Sequence, residues 1–314
     1  MKIVITGALG HIGSRLIREI PSTFPHAEIV MIDNFATQRF CSLFNLPSTG
    51  RYRFFEADVL KDDLTPMFAG SDVVLHLAAI TNAAGSFEIR EQVEQVNYNG
   101  SEIVARECLK NDCALIFIST TSVYGTQDEM VDEDCSIADL KPQSPYAESK
   151  LKTERMLHEM NEKEGLRFIT CRFGTIFGTS IGMRFHTAVN KFCWQAVMRQ
   201  PITVWRTALH QYRPYLGLND AVKAIQFIID KDLYDGRVYN VLTVNATVNN
   251  IIEIISYHVP ELLIQYVDTE IMNQLSYHVS NNRFKDLGFY FTGDLNRDIG
   301  DTIGWLQGAW SWRE

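Results

Sequence analysis

Tyr146 and Lys150 are the residues of this 314-residue chain whose types and spacing most directly suggest chemistry. A phenol ordinarily titrates near pH 10, roughly, so tyrosine is a base near neutral pH only where a neighbouring cation stabilises its phenolate. Lysine supplies such a cation, and a four-residue spacing places both side chains on one helix face. A surface Tyr/Lys pair on an ordinary helix has the same pattern, so the pair predicts acid–base chemistry only where other residues support it.

Short β-rich runs alternate with helical stretches in the first half of the chain, and they predict the elements that position this pair. Such alternation is typical of an α/β fold with a doubly wound parallel sheet of the Rossmann type. The predicted strands cover residues 2–6, 28–33, 53–57, 73–77, 115–119, 167–172 and, later, 238–241. The predicted helices cover residues 12–20, 90–110 and 146–163, and a helical apolar spacing recurs at Phe185, Val189, Phe192 and Ala196.

A glycine-rich turn, with Gly7, Gly10 and Gly13, links the first predicted strand to the first helix. Backbone N–H groups and the positive end of the helix dipole converge there, and glycine permits the close approach of a pyrophosphate. Asp33 ends the second strand, 20 residues after Gly13. A carboxylate there accepts hydrogen bonds from a ribose diol and repels a 2′-phosphate, so the pattern predicts a dinucleotide site that prefers NAD to NADP.

The alternation breaks after residue 177, which predicts a second, smaller α/β lobe that binds the substrate. We expect residues 1–177, joined again by 215–245, to form the NAD-binding domain. Residues 178–214 and 246–314 are expected to form the smaller lobe.

Composition argues against several classes of protein. The net charge of -9 disfavours nucleic acid or an anionic membrane as the main partner. The chain has no apolar run of membrane-spanning length, and Met1 leads into a strand pattern rather than a signal peptide, so we expect a cytoplasmic protein. The six cysteines are dispersed without a CxxC pair, which predicts reduced thiols and no metal site.

The motifs of the chain resemble those of the extended short-chain dehydrogenase/reductases. The resemblance is greatest to the branch of NAD-dependent nucleotide-sugar epimerases and dehydratases that includes UDP-glucose 4-epimerase. It rests on TGxxGxxG at 6–13, HLAA at 76–79, Asn97, STTSVYG at 119–125, YxxxK at 146–150, RFGTIFG at 172–178 and RPYLGLND at 213–220. These motifs occur in the family's order over most of the chain, and together they are highly specific.

The resemblance implies an enzyme whose catalytic residues are Thr120, Tyr146 and Lys150. Tyr146 would exchange a proton with a sugar hydroxyl, and Thr120 would hold the same oxygen. Lys150 would lower the pKa of Tyr146 and bind the nicotinamide ribose. The residues expected to contact NAD are Gly7, Gly10, His11, Ile12, Gly13, Asp33, Asn34, Asp58, Val59, Leu77, Ala78, Ala79, Asn97, Ser119, Tyr146, Lys150 and Arg172.

The resemblance also implies a nucleotide-diphosphate sugar as substrate and a homodimer paired through the helices at 90–110 and 146–163. Arg213 matches the family arginine that grips the diphosphate, whereas Thr175 stands where most relatives have asparagine. The family's late arginine clamp for the phosphate is missing. The residues expected to bind the substrate are Thr81, Thr121, Thr175, Arg184, Asn190, Arg213, Tyr277 and Arg283.

The two residues after Thr120 bear on the type of reaction. In this family a 4,6-dehydratase carries an Asp-Glu pair there, and a decarboxylase carries glutamate at the position of Ser122. This chain has Thr121 and Ser122, which are not useful acids or bases near neutral pH. We therefore expect a C4 epimerase that passes through a transient 4-keto sugar. A nucleotide-sugar dehydrogenase or reductase is the alternative, and a dehydratase or an inactive nucleotide sensor is a further one.

Overall fold

A computed structural model describes residues 1–268 and 276–309 of the protein. Along the chain the strands are β1 (Lys2–Thr6), β2 (Glu28–Asp33), β3 (Arg51–Glu56), β4 (Val73–His76), β5 (Ala114–Thr120), β6 (Met130–Val131), β7 (Phe168–Phe173), β8 (Thr175–Phe177), β9 (Ile202–Trp205), β10 (Tyr212–Gly217), β11 (Val238–Val241), β12 (Val244–Thr247), β13 (Ile264–Val267) and β14 (His278–Val279). The helices are α1 (His11–Thr23), α2 (Thr65–Phe68), α3 (Arg90–Val93), α4 (Gly100–Lys110), α5 (Pro145–Glu164), α6 (Ala188–Val197), α7 (Leu218–Asp230), α8 (Val248–His258), α9 (Asn282–Asp286) and α10 (Leu295–Gln307). A π-helical segment, Glu94–Asn99, lies between α3 and α4.

The central sheet has the strand order β11-β7-β5-β4-β1-β2-β3, and each neighbouring pair is parallel. Strands β1, β4, β5 and β7 are almost entirely buried because helices cover both faces of the sheet. This double burial explains why these strands are continuous apolar runs in the sequence rather than alternating ones. The predicted Rossmann-type fold is therefore confirmed, and β11 returns to the sheet beside β7 as predicted.

The predicted helices agree less closely with the structure than the predicted strands do. The region 90–110 is helical, but the π-helical segment around Asn97 divides it. The helical spacing that began at Phe185 was wrong at its first residue, because α6 begins at Ala188 after Thr187 in an extended conformation. Phe185 instead packs against the Trp194 ring in a tilted arrangement, with the two centroids 5.3 Å apart.

Further sheets lie outside the central one, with the orders β12-β10-β8, β13-β9 and β14-β6. Helices α6, α8 and α10 pack with β9 and β10 around a separate apolar core. Strand β8 pairs with β10 in this region although it follows β7 almost directly. The predicted division into two domains stays a proposal, and part of its last segment lies outside the described residues.

Neither a membrane span nor a metal cluster occurs in residues 1–268 and 276–309. No helix there combines the length and the apolarity needed to cross a membrane. No group of three or more His, Cys, Asp and Glu side chains there is placed to hold a metal ion.

Helix α5 carries the Tyr146/Lys150 pair, and the sequence determines both of its ends. The Ser144 side chain caps the first turn by accepting a backbone N–H, and Pro145 occupies the first helical position. Gly165 ends the helix with a φ of 77°. Because α5 follows β5 and packs against β5 and β7, its first turn lies at the carboxyl edge of the sheet. Ligands of such sheets bind at that edge.

Candidate active site

The glycine turn forms a cradle between the end of β4 and the start of α1. Gly7 has a φ of +65°, and a Cβ atom there would lie 2.6 Å from the backbone nitrogen of Ala78. A Cβ atom on Gly13 would lie 2.5 Å from the carbonyl oxygen of Ala8. Neither position accommodates a side chain, so a ligand can approach the first backbone N–H groups of α1, which have no partner within the helix. The cradle therefore fits a pyrophosphate.

Asp33 lies beside this cradle, half-buried at the end of β2. Its carboxylate accepts hydrogen bonds from the backbone N–H groups of Leu9 at 3.1 Å and Phe35 at 3.0 Å. Burial raises the pKa of Asp33, although the two N–H groups and the charge of Arg39 act in the opposite direction. Arg39 was not identified from the sequence, yet it lies close enough to Asp33 for their charges to interact.

Replacing Asp33 by serine should shift the preference from NAD toward NADP. The change removes the charge that repels a 2′-phosphate and leaves Arg39 in place to attract one. We expect the ratio of NADP affinity to NAD affinity to rise roughly 10- to 100-fold. Fluorescence titration with both reduced cofactors measures this ratio. Asp63→Ser, which changes an exposed carboxylate that also accepts a backbone N–H, is the control. An unchanged ratio in Asp33→Ser would exclude this role of Asp33.

The other residues predicted at the adenine end lie at the same edge of the sheet. The Asn34 amide donates to the Asp58 carboxylate at 3.4 Å, and Asp58 also accepts the backbone N–H of Leu60 at 2.9 Å. Val59 is buried beside them. The structure therefore brings Asn34, Asp58 and Val59 together, and their contact with NAD stays a prediction.

His11, in the first turn of α1, is buried and neutral. Burial and the charge of Arg184 lower the pKa of His11 to about 3. Its Nε2 atom lies 2.9 Å from the carbonyl oxygen of Gly178, so Nε2 carries the proton and donates. Nδ1 is then an acceptor, and it has no hydrogen-bond partner within the part of the chain that the structure describes. His11 thus offers a ligand a hydrogen-bond acceptor rather than a positive charge.

The segment after β8 is fastened to the start of α1. The Ser180 hydroxyl donates to the carbonyl oxygen of His11 at 2.8 Å, and the Gly182 N–H donates to the Ser14 hydroxyl at 2.9 Å. These contacts carry Arg184 into the site, beside the glycine cradle. Sequence spacing alone does not reveal this placement, because the two partners are far apart along the chain.

His76 closes β4 as a buried and neutral residue. Its Nδ1 atom lies 2.7 Å from the Thr6 hydroxyl, and its Nε2 atom lies 3.0 Å from the Ser101 hydroxyl. Burial lowers the pKa of His76 to about 3. These bonds fix the end of β4 against β1, and the half-buried residues that follow on the ligand side are Leu77, Ala78 and Ala79.

Asn97, which is predicted to contact NAD, has a side chain that bonds to other residues of the protein. It is fully buried, accepts the Ile80 N–H at 2.8 Å, and donates to the Ile80 carbonyl at 2.9 Å and the Ser149 hydroxyl at 3.2 Å. These contacts engage its amide, so Asn97 joins the loop after β4 to α5, and its contact with NAD stays a prediction. The π-helical segment brings it there, and such segments are frequent at functional sites.

Thr120 and Tyr146 share a hydrogen bond between their side chains. Thr120 also accepts the Ser122 N–H at 3.2 Å, which fixes its hydroxyl at the end of β5. Burial raises the pKa of Tyr146, whereas the charge of Arg184 and the bond from Thr120 lower it. Arg184 is therefore the cation with the largest effect on the phenol. From the sequence, Lys150 is the cation predicted to lower the pKa of Tyr146.

Lys150 is buried between α5 and the sheet. Its Nζ atom is 4.7 Å from the centroid of the Phe117 ring, and the residue is only 3% exposed. Burial lowers the pKa of Lys150 to about 7, although the charge of Glu154 opposes this effect. The ammonium is thus close to losing its charge at neutral pH.

Arg172 and Ser119, both predicted to contact the cofactor, have side chains that are engaged within the protein. The Arg172 guanidinium forms a buried ion pair with Glu154, with a shortest distance of 2.7 Å, and donates to the Tyr124 hydroxyl at 2.9 Å. The Ser119 hydroxyl donates to the same carboxylate. Both side chains are therefore engaged beneath the site. Glu154 was missed by sequence reasoning, although its position one turn after Lys150 was an available signal.

The residues predicted to bind the substrate form two groups around Tyr146. In one, Arg184 donates to the Thr81 hydroxyl. In the other, the hydroxyls of Thr121 and Tyr277 lie 3.3 Å apart, and the charge of Arg213 lowers the pKa of Tyr277 against the larger opposing effect of burial. Thr175 is half-buried on β8, the strand beside the one that carries Arg213.

Asn190, the predicted substitute for the missing family asparagine, has a side chain that is engaged within the protein. Its side chain is buried, accepts the Gly178 N–H at 3.1 Å, and donates to the Arg184 carbonyl at 3.2 Å. Asn190 therefore holds the segment that carries Arg184, and a phosphate contact would compete with both bonds.

Arg283 is likewise occupied within the protein. It forms ion pairs with Asp134 and, at 3.9 Å, with Glu133, and it donates to the Val238 carbonyl at 3.3 Å. These acidic partners neutralise its charge beside β11. The structure thus gives no support to Arg283 as a phosphate ligand.

Comparison with known proteins identifies the family of this chain. The model of the NAD dependent epimerase/dehydratase family matches residues 3–241. The chain belongs to this family. A Bacillus subtilis (strain 168) protein described as an uncharacterized UDP-glucose epimerase is 30% identical over 252 residues, which is 77% of this chain and 76% of that protein. NAD, the cofactor predicted from the sequence, is the cofactor of the family.

Other members of the epimerase/dehydratase family differ in reaction. A trifunctional UDP-glucose 4,6-dehydratase, 3,5-epimerase and reductase of Arabidopsis thaliana is 26% identical over 99% of this chain, which spans 48% of that protein. Among solved structures, a variant of the UDP-glucuronic acid 4-epimerase of Bacillus cereus, in complex with NAD and a fluorinated UDP-glucuronic acid, has a TM-score of 0.88. It shares 23% identity, with 98% of this chain and 100% of that one covered, and this likeness shows the fold.

Proposed function

We propose that this protein is an NAD-dependent nucleotide-sugar 4-epimerase. The observation that carries the proposal is the hydrogen-bonded pair of Thr120 and Tyr146. The two residues directly after Thr120, Thr121 and Ser122, have no carboxylate. The pair has the acid–base groups for reversible oxidation of a sugar hydroxyl. It lacks the adjacent acids that an elimination needs.

In the proposed reaction Tyr146 takes the proton from the C4 hydroxyl of the sugar. NAD, when bound, supplies the acceptor and donor of the C4 hydride. Thr120 holds the same oxygen and passes the proton to Tyr146, while the positive charge of Arg184 stabilises the phenolate. On the return step Tyr146 gives the proton back to the oxygen of the 4-keto sugar. Net redox change is zero because the sugar regains its hydride on the other face.

Elimination is disfavoured by the surroundings of Thr121 as well as by its type. Its hydroxyl lies 3.3 Å from the Tyr277 hydroxyl and 3.4 Å from the carbonyl oxygen of Phe173. No ionisable acid stands at this position or at Ser122 to remove a proton from C5 or to protonate a leaving hydroxyl. A dehydratase would need acids from elsewhere in the chain.

We propose a nucleotide-diphosphate sugar as the substrate, with Arg213 on its diphosphate. Arginine suits this geometry because its planar guanidinium binds phosphate oxygens in a bidentate manner. Tyr277 and Thr121, whose hydroxyls lie 3.3 Å apart, are candidate contacts of the substrate, as is Thr175. Thr81 and Arg184 are proposed to border the sugar.

A net dehydrogenase or reductase is the second candidate. Asn190 and Arg283, two of the proposed phosphate contacts, are engaged by the protein itself. The diphosphate of the substrate would then be bound by residues other than Asn190 and Arg283. This favours a substrate other than the usual UDP-hexose. Such a substrate need not return its hydride.

Incubation of the purified protein with UDP-, GDP-, dTDP- and CDP-sugars tests the proposal. We expect one nucleotide sugar to give its C4 epimer, detected by anion-exchange chromatography and NMR, without a rise in absorbance from NADH. Accumulation of NADH with a keto or acid product and no epimer would replace the epimerase with a dehydrogenase.

The predicted homodimer and cytoplasmic location stay predictions. The exposed faces of α3, the π-helical segment and α5 carry ion pairs within one chain, such as Arg90 with Glu148 at 3.1 Å and Lys152 with Glu94. A dimer through these helices would have a polar interface whose stability falls with salt. Light scattering at low and high salt tests this.

A further inference from the structure

A buried ion pair lies one helical turn from Lys150. The side chains of Glu154 and Arg172 are only 5% and 6% exposed. Arg172 Nε donates to the two carboxylate oxygens of Glu154 at 3.0 and 3.2 Å, and Nη2 donates to Oε2 at 2.7 Å. Burial opposes the charge of Arg172, but the charge and hydrogen bonds of Glu154 outweigh it and raise the pKa of Arg172. The guanidinium of Arg172 thus stays charged, and its bonds to both carboxylate oxygens fix the orientation of the pair.

The register of α5 against β5 places Glu154 beside Lys150. Phe117 and Ser119 are two residues apart and share one face of β5. The Lys150 ammonium lies over the Phe117 ring, and the Ser119 hydroxyl donates to the Glu154 carboxylate. Successive turns of α5 therefore meet successive side chains of β5. Residues four apart on one helix face are neighbours.

Glu154 is the acid whose charge acts on Lys150 among the described residues. From β4, the residue that interacts with Lys150 is His76, which is neutral with a pKa of about 3. From β5 it is Phe117, which has no charge. Burial lowers the pKa of Lys150 to about 7, and the charge of Glu154 keeps it from falling further.

Other groups surround Arg172 rather than Lys150. Arg172 Nη1 donates to the Tyr124 hydroxyl at 2.9 Å, and its charge lowers the pKa of Cys135 against the larger effect of burial. Tyr124 in turn donates to the Asn240 side chain at 2.9 Å, and the charge of Glu133 also acts on it. These contacts hold Arg172, and through it Glu154, in one position.

We propose that Glu154 is a positioning residue that keeps the Lys150 ammonium charged for its contact with the nicotinamide ribose, while Arg172 and Ser119 hold the carboxylate. The inference rests on the role proposed for Lys150 within the proposed function. It assigns a function to an ion pair that would otherwise serve only stability.

The two members of the pair carry opposite charges, so we expect their removal to shift the pKa of Lys150 in opposite directions, and this makes the proposal testable. Glu154→Gln removes the anion, so Lys150 should lose its proton at lower pH than in the unaltered protein. Arg172→Met removes the cation that balances Glu154, so Lys150 should keep its proton to higher pH. An opposite charge within a few ångströms shifts a pKa by about 1 to 3 units, so a shift of roughly one unit in each direction is expected.

Two measurements on the full chain report this charge without any sugar substrate. One is an NMR titration of lysine side chains labelled with carbon-13 at Cε, with the Lys150 signal assigned by its loss in Lys150→Arg. The other is the dissociation constant of NAD, followed by fluorescence across neutral and alkaline pH. Neither depends on epimerisation, so failure of this inference is distinguishable from failure of the proposed function. Glu148→Gln, at an exposed, Arg-paired glutamate on the same helix, is the matched control and should leave both curves unchanged.

Breaking a buried pair can unfold a protein, so the double variant Glu154→Gln/Arg172→Met provides a second test. It leaves neither charge unpaired, and replacement of both partners is often tolerated. In the double variant we expect Lys150 to lose its proton at lower pH than in the unaltered protein. We also expect NAD affinity to fall at lower pH. An unchanged titration in the double variant, or an Arg172→Met midpoint at or below the unaltered one, would overturn the proposal.

Discussion

Replacing Tyr146 by phenylalanine is expected to lower kcat of the proposed epimerisation by roughly 10²- to 10⁴-fold, the usual contribution of a positioned acid or base. The ring stays in place, but the sugar hydroxyl loses the group that accepts its proton. Among the described residues, Thr120 then keeps its bond to the Ser122 N–H. NAD affinity should change little, because the glycine cradle and Asp33 are untouched. Steady-state kinetics and NAD titration on the same preparation measure both quantities.

Tyr52→Phe is the control for the loss of a tyrosine hydroxyl. This residue is half-buried far from the site, and its hydroxyl donates to the Ile17 carbonyl at 3.0 Å. It should keep the kcat of the unaltered protein. If Tyr146→Phe retained the same activity as Tyr52→Phe, Tyr146 would not be the proton acceptor.

Replacing Gly7 by alanine is expected to abolish measurable NAD binding and to destabilise the fold by about 2–4 kcal/mol. The new Cβ atom would lie 2.6 Å from the backbone nitrogen of Ala78, which cannot move aside as a flexible side chain could. Relief of this contact requires the end of β4 to move away from the glycine turn. The same movement would open the cradle that holds the pyrophosphate. Thermal unfolding and NAD titration measure the two effects.

Gly70→Ala separates this contact from backbone strain. Gly70 has nearly the same φ, +67°, but a Cβ atom there would have nothing within 4 Å. It should lose only about 1 kcal/mol and keep its NAD affinity. If Gly7→Ala and Gly70→Ala lost the same stability and both bound NAD as the unaltered protein does, the close approach of β4 would not be the reason why residue 7 is glycine.

The sequence predicted the sheet and the placement of Tyr146 and Lys150 on one helix because both depend on short-range patterns. Strands covered on both faces must be apolar throughout, so β1 and β7 are visible as continuous apolar runs. The Tyr146 and Lys150 spacing needs only one helix, and the glycine turn needs only its own backbone. Such features do not depend on where distant parts of the chain lie.

The predictions that the structure does not support concern polar side chains whose partners are distant in sequence. Arg283 is a predicted phosphate ligand because arginine suits phosphate, but in the folded chain its guanidinium forms an ion pair with Asp134. Asn97 lies in a π-helical segment that apolar spacing does not distinguish from an α-helix. Arg184, which acts on Tyr146 more strongly than Lys150 does, comes from another part of the chain. A residue type indicates what a side chain can bind, and only the fold decides which partner it has.

The arrangement of cations around Tyr146 suggests a division of roles. Arg184 acts on the phenol from the segment after β8, whereas Lys150 lies against β5 beside Glu154. We infer that Arg184 favours the phenolate and that Lys150 serves the cofactor ribose. This division explains why Lys150 needs an anion of its own, since burial would otherwise remove its charge near neutral pH.

The fate of a deuterium atom on C4 of the sugar tests the central claim most directly. The nucleotide sugar that the protein accepts would be labelled at C4 and incubated with the purified protein, and both epimers would be isolated for NMR and mass spectrometry. An epimerase that returns the same hydride to the opposite face predicts deuterium retained at C4 of the product, with no net NADH. Deuterium accumulating in NADH beside an oxidised sugar would contradict the account and identify a dehydrogenase.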